Sequence, residues 1–204
     1  MKADTNADDG STPEGVWRKR AYVVEIETPE GIKEGRSIVA WRSECVRTFP
    51  EGKSCGPTAK MEGSAIDLPN GDTVYVTLTT NEGAGYDHPM GYQRVWKDED
   101  VGKLKREYKE EYLPDLIMFE DESDPSTVVW IDPTKPFGDG YTVKRAYVDG
   151  TIDQSLEPTQ NLRKRLPWLA TDNHGTFAGK PYIIRSGTTA DQFSIGSLEL
   201  GHRE

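Results

Sequence analysis

Apolar and polar residues alternate with a period of two over most of the chain from Trp17 onward, the mark of strands with two distinct faces. Tyr22, Val24 and Ile26 interleave with Val23, Glu25 and Glu27, which predicts a strand with one buried face. Pro29-Glu30-Gly31 predicts a turn, because proline fixes φ and glycine tolerates positive values. Residues 35–46 then read as a second strand, with Val39, Trp41 and Cys45 on one face, and the pair forms a hairpin. Residues 60–68 and 73–80 flank Asn70-Gly71, a dipeptide suited to a type I′ turn, so a second hairpin is predicted there. Val74, Val76 and Leu78 face one way in it; Thr73, Tyr75, Thr77 and Thr79 face the other.

A glycine-rich loop over residues 81–91 interrupts the strands, and the best helical stripe in the chain follows at residues 98–113. There Val101, Leu104, Tyr108 and Tyr112 share a side, Asp98, Glu99 and Asp100 complement the helix dipole, and Pro114 ends the run. Residues 116–119, 127–131, 141–148, 181–185 and 192–195 read as further strands, and residues 159–169 as a short helix stopped by Pro167. The predicted fold class is mainly β (α+β): antiparallel hairpins in a sheet, with one or two helices packed against it. Residues 1–15 are expected to be a disordered lead and residues 16–204 one globular domain, since no repeat or linker divides them.

Composition refines this picture. The hydrophobic share is 34%, and 20 Gly and 13 Pro fit many turns. Five Trp, nine Tyr and five Phe are too many to leave in water, which argues for a folded core. A net charge of −10 disfavours nucleic acid and anionic membrane surfaces as partners, because both need clustered cations. The acidity is uneven: residues 97–124 hold eleven acids and five bases, −6 of the total. Asp98, Glu99, Asp100, Glu120, Asp121, Glu122 and Asp124 are therefore candidate binding residues for a basic protein partner, against the plainer reading of a solvated face.

No apolar run approaches the length of a membrane-spanning helix, and residues 1–15 lack the apolar stretch of a signal peptide. Cys45 and Cys55 flank a loop between extended segments and have the spacing of a small hairpin disulfide; reduced thiols are the alternative. The expected location is periplasm or cell envelope if a leader was removed, and cytoplasm otherwise.

Glu27-Thr28-Pro29-Glu30-Gly31, Asn70-Gly71-Asp72, Pro114-Asp115-Leu116, Trp130-Ile131-Asp132-Pro133 and Lys164-Arg165-Leu166-Pro167-Trp168-Leu169 together make up a recurring set of turn and core signatures. On them the chain resembles a family of small bacterial exported, lipoprotein-like proteins with no assigned activity. The resemblance covers about residues 20–200. It implies a cell-envelope setting and carries no catalytic residue; the sequence departs from the family in lacking the leader.

Candidate chemistry is sparse. His88 beside Asp87 and His174 near Asp172 sit in turn-forming sequences, and His202 lies near the end. A hydrolase site would need His88, His174 and nearby Asp residues to converge in space. No nucleophile elbow, phosphate loop or dinucleotide fingerprint occurs, so no cofactor is expected. The acidic run at residues 120–124 lacks the glycine and closing glutamate of a calcium loop, and no metal is expected. Trp41, Trp96, Trp130 and Trp168 read as core residues before they read as a recognition surface. The leading expectation is a non-catalytic envelope domain with a protein-binding or structural role, and the hydrolase is its rival.

Overall fold

A computed structural model describes residues 15–48, 52–80, 105–108, 113–170, 183–185, 188–189 and 199–200. The strands are β1 (Arg18–Thr28), β2 (Gly31–Thr48), β3 (Gly52–Glu62), β4 (Ser64–Asp67), β5 (Thr73–Thr80), β6 (Lys105–Glu107), β7 (Pro114–Phe119), β8 (Val128–Ile131), β9 (Thr142–Asp149), β10 (Ile183–Arg185), β11 (Thr188–Thr189) and β12 (Glu199–Leu200). One short helix, α1 (Leu162–Arg165), precedes a 3₁₀ turn at Pro167–Ala170. A six-stranded sheet has the order β12-β3-β2-β1-β9-β6 and a four-stranded sheet the order β4-β5-β7-β8; β10 and β11 pair with each other. The strand pairs are antiparallel, and the mainly β class expected from the alternation holds.

The main core lies between the two larger sheets. Val24, Ile26 and Ala146 of the first sheet meet Ile66, Val74, Val76, Leu116 and Ile131 of the second, with Tyr141 closing the side. Each of the Val, Leu and Ile side chains among them contributes about 1.5–3 kcal/mol on burial. The second sheet also buries its outer face: Tyr75, Ile117 and Phe119 pack beneath Leu162, Leu166 and Leu169 of the helical segment. Val74 and Tyr75 thus point to opposite layers, as the alternation of that hairpin predicts.

Three local expectations are corrected. β1 buries both faces, not one, because Ala21 and Val23 are covered by Ile38, Tyr147 and Ile152 on the side away from the main core. Residues 60–68 are not one strand. The chain leaves the first sheet after Glu62 and enters the second at Ser64, and Gly63 makes the step: a Cβ there would lie 2.1 Å from the Val76 carbonyl oxygen. The turn at Asn70-Gly71 is not type I′. Gly71 N–H donates to Leu68 O at 3.0 Å, so Pro69 and Asn70 are the central residues and Gly71 follows at φ +93°. Proline favours the first central position of a type I turn, and the glycine completes a three-residue loop.

The helix expected over residues 98–113 is replaced, where it is described, by a strand. Lys105, Arg106 and Glu107 pair with Asp149, Val148 and Tyr147 of β9, and Tyr108 N–H donates to Ala146 O at 2.8 Å. The edge of β9 needs backbone partners, and this pairing overrides the helical stripe. Residues 98–104 and 109–112 lie outside the described part. The short helix and strands expected at residues 159–169, 116–119, 127–131 and 141–148 are present within a few residues.

Candidate functional site

β2 and β3 continue as a two-stranded arm past the end of β1. The last pair shared with β1 is Arg18 with Trp41; beyond it, Arg42 to Thr48 pair with Thr58 to Gly52. At about 3.4 Å per residue the arm reaches roughly 20 Å beyond the sheet. Among the described residues no third strand pairs with it. An isolated pair of strands is marginal in water, so such an arm needs reinforcement.

The orientation of its edges follows from one contact at the base. Ile38 N–H donates to Thr159 Oγ1 at 2.6 Å, and Ile38 O accepts Thr159 N–H at 3.0 Å. Both groups point away from β1, on the side vacated where β3 departs, and the loop after β9 seals that gap. The β2 register runs without a shift from Gly31 to Thr48. Alternation then sends the backbone groups of positions 42 and 44 toward β3, and those of 43 and 47 to the side on which β1 lies. Pro57 fits this geometry: opposite Ser43, its missing N–H falls on the outer edge of β3 and costs no ladder bond.

Cys45 and Cys55 are direct register partners in the arm. By the same alternation their pair is of the non-hydrogen-bonded kind, in which opposing residues come closest, near 4.5 Å between Cα atoms. That spacing suits a disulfide, and Cys45 is not a free thiol.

The root of the arm is cationic and aromatic. The Arg20 guanidinium lies 4.1 Å from the centre of the Trp41 ring on the face toward the second sheet. On the opposite face Trp17 receives Arg42 at 4.7 Å and Lys60 at 5.4 Å. Arg18 stands in register with Trp41, and Lys19 reaches Glu157 at 4.0 Å. A ring holds a cation through its quadrupole, so these contacts fix the side chains at the root of the arm.

The candidates expected from the sequence are distributed differently. His88, His174, Asp87, Asp172, His202, Trp96, Asp98, Glu99 and Asp100 lie outside the described residues. Glu120, Asp121, Glu122 and Asp124 occupy the turn between β7 and β8. Asp121 Oδ1 accepts the N–H and the hydroxyl of Ser123, at 2.8 and 2.7 Å, and so builds the turn itself. Asp124 O accepts the Thr127 hydroxyl at 2.8 Å, and Glu120 is exposed. Glu122 looks inward: its Oε1 accepts the Tyr75 hydroxyl at 2.6 Å and Arg165 Nε at 3.4 Å, and its carbonyl accepts Trp168 Nε1 at 2.8 Å. Arg165 also donates to Asp67 Oδ1 and Thr73 Oγ1, both at 2.5 Å. Hydrogen bonding from Arg165 holds the Asp67 carboxyl below its ordinary range, while burial and then Glu122 push the Tyr75 phenol up. This cluster fastens α1 to the second sheet. Trp130 and Trp168 are half-buried, the former donating to Asp115 Oδ1 at 3.0 Å.

Between the sheets a narrow cavity of about 20 Å³ is lined by Tyr22, Tyr108, Ser37, Glu62, Ser64 and Thr77 among others. That is room for about one water. Among the described residues no group of three or more His, Cys, Asp or Glu side chains is assembled as for a metal, and no helix is long and apolar enough to cross a membrane.

No family model, curated protein or solved structure matches this chain. The candidate site therefore stands on its geometry. The arm itself was only half legible: alternation and the cysteine spacing suggest a hairpin, but Gly56 and Pro57 hide the strand that completes it. The proline was itself the missed signal, since within a strand it marks an outer edge.

Proposed function

We propose that this chain is a non-catalytic binding domain of the cell envelope, which takes an extended segment of a partner protein onto the β2 edge of its arm. The observation that supports the reading is the Ile38–Thr159 contact. It fixes the parity of β2 and so turns positions 43 and 47 toward the line along which β1 has ended. A segment entering there would continue the six-stranded sheet outward, gaining main-chain hydrogen bonds to an edge already held straight.

The facing cysteines support an oxidising setting, because a Cys45–Cys55 disulfide would keep the arm ordered without a third strand. Ordering the edge before binding lowers the conformational cost of association. The test replaces residues 43–57 by an Asn-Gly turn and compares capture from envelope extract by the intact and shortened chains. Partners retained by the intact chain and lost by the shortened, still folded one are expected. Equal capture by both contradicts the proposal.

A further inference from the structure

The line along which β1 ends toward the arm is also the line along which the chain enters β1. We infer that residues 11–16 of this chain act as a strap that occupies the β2 edge of the arm until a partner displaces it. The inference rests on that edge accepting a strand, as proposed above, and adds the regulation of the same site.

β1 runs antiparallel to β2 without a register shift from Thr28 back to Arg18, which lies beside Trp41. Trp17 keeps to the same line, its ring centre 4.7 Å from the guanidinium of Arg42, the next residue of β2. Carried on, this register sets Val16 beside Ser43, Glu14 beside Cys45 and Thr12 beside Arg47. The parity fits as well. The Ile38–Thr159 contact means that odd positions of β2 exchange backbone hydrogen bonds with even positions of β1. Residues 12, 14 and 16 would therefore turn their N–H and C=O groups toward those that the edge presents at 43, 45 and 47.

Pro13 falls between them. Its missing N–H would face away from β2, so it costs no ladder bond and blunts the outer side of the added strand. Pro57 stands in the same way on the opposite edge of the arm. The two prolines would thus bound a closed arm of three strands, the number at which a ribbon becomes stable by itself. A segment tethered to β1 also needs no encounter, since its effective concentration at the edge is on the order of millimolar.

Gly15 supplies the hinge. It stands at φ +83°, which turns the chain off the strand line, and a Cβ there would meet nothing within 4 Å. Glycine takes this conformation and the extended one at similar cost, so the chain can release the strap or lay it down. Alanine would favour the extended conformation roughly fivefold or more.

The experiment follows amide exchange in the full oxidised chain, free and with a ten-residue alternating Thr-Gln peptide as the strand probe. Thr12→Pro, Ser11→Pro and Gly15→Ala are compared with the parent, and an unchanged melting transition confirms that each is folded. In the free parent the amides of Ser43, Cys45 and Arg47 are expected to be protected equally at all protein concentrations. Thr12→Pro removes an N–H that faces β2, so it should expose Arg47 and tighten peptide binding. Ser11→Pro removes an outward N–H and should change neither. Gly15→Ala should weaken peptide binding roughly fivefold, because a partner meets only the fraction of the edge that the strap leaves open. Edge amides open in the free parent, with equal peptide binding by all four chains, overturn the strap and leave strand addition by a partner standing. Protection that Thr12→Pro abolishes, with no peptide able to restore it, keeps the strap and overturns partner binding. Protection that rises with protein concentration assigns the edge to the strap of a second copy and overturns the intramolecular one. If these amides are open in every sample, both readings are overturned.

Discussion

The carboxylate of Glu62, at the end of β3, accepts the backbone N–H of Leu162, a hundred residues later, at 3.2 Å; it also accepts the N–H of Asn161. Glu62 is 1% exposed. A buried carboxyl group is tolerated when it is hydrogen-bonded, and here it satisfies the first amides of α1, which would otherwise end in the protein interior. Ser37 adds a hydroxyl to the Glu62 carbonyl at 2.5 Å, so β2, the end of β3 and the helical segment are joined at one residue. Glu62→Ala should therefore cost about 2–4 kcal/mol in denaturant unfolding, more than a surface cap. A loss below about 0.5 kcal/mol would contradict the role assigned to it.

The step between sheets gives a sharper steric prediction. A Cβ on Gly63 meets backbone, the Val76 carbonyl at 2.1 Å, whereas one on Gly71 meets nothing within 4 Å but must sit at φ +93°. Gly63→Ala should cost more than about 3 kcal/mol and Gly71→Ala about 1 kcal/mol. Chemical denaturation of both variants tests the order, and its reversal would mean that the chain does not cross between sheets at Gly63.

Acid should weaken the first sheet by a defined route. Arg145 donates to both oxygens of Glu25, at 2.9 and 2.7 Å, across a β9 bulge at Lys144 that brings the two into register. This hydrogen bonding, opposed by burial, holds the Glu25 carboxyl below its usual 4.5. Its folded pKa is thus lower than its unfolded one. The contribution is fully present above about pH 4.5 and is lost as pH falls through the depressed folded value. Glu25→Gln should be less stable than the parent at pH 7, and the gap should close in strong acid. A gap that stays constant from pH 7 to strong acid contradicts the assignment.

The cysteine pair gives a prediction about the arm alone. Intact mass of protein purified without reductant should show two fewer hydrogens than the reduced chain. Replacing both cysteines by Ala should speed amide exchange in residues 42–48 and 52–58 and leave the two-sheet core unchanged. Closing a ring of this size removes about 3 kcal/mol of unfolded-chain entropy, so local opening of the arm should become far easier. Two free thiols, or unaltered exchange, would remove the staple from the account.

Much of the fold can be read from the residues. Period-two alternation locates the strands around Val24, Val74, Ile117 and Ala146, because each packs one side on the shared core. What fails does so for tertiary reasons. Tyr108 has the spacing of a helix stripe, yet its backbone is needed at the open edge of β9. Glu122 has the composition of a solvated acidic run, yet Tyr75 and Arg165 claim it. Glu62 gives no sign in its neighbours that it caps a helix a hundred residues away. The parity of the candidate edge rests on the Ile38–Thr159 contact, a long-range pairing, and Pro57 opposite Ser43 is its local sign in the sequence.

Hydrogen exchange at the outward-facing edge positions tests the central claim most directly. With an extended partner segment bound, the amides of Ser43, Cys45 and Arg47 should slow markedly, while those of Arg42 and Glu44, already turned toward β3, should change little. Protection that appears elsewhere and spares positions 43 and 47 would contradict strand addition at the arm.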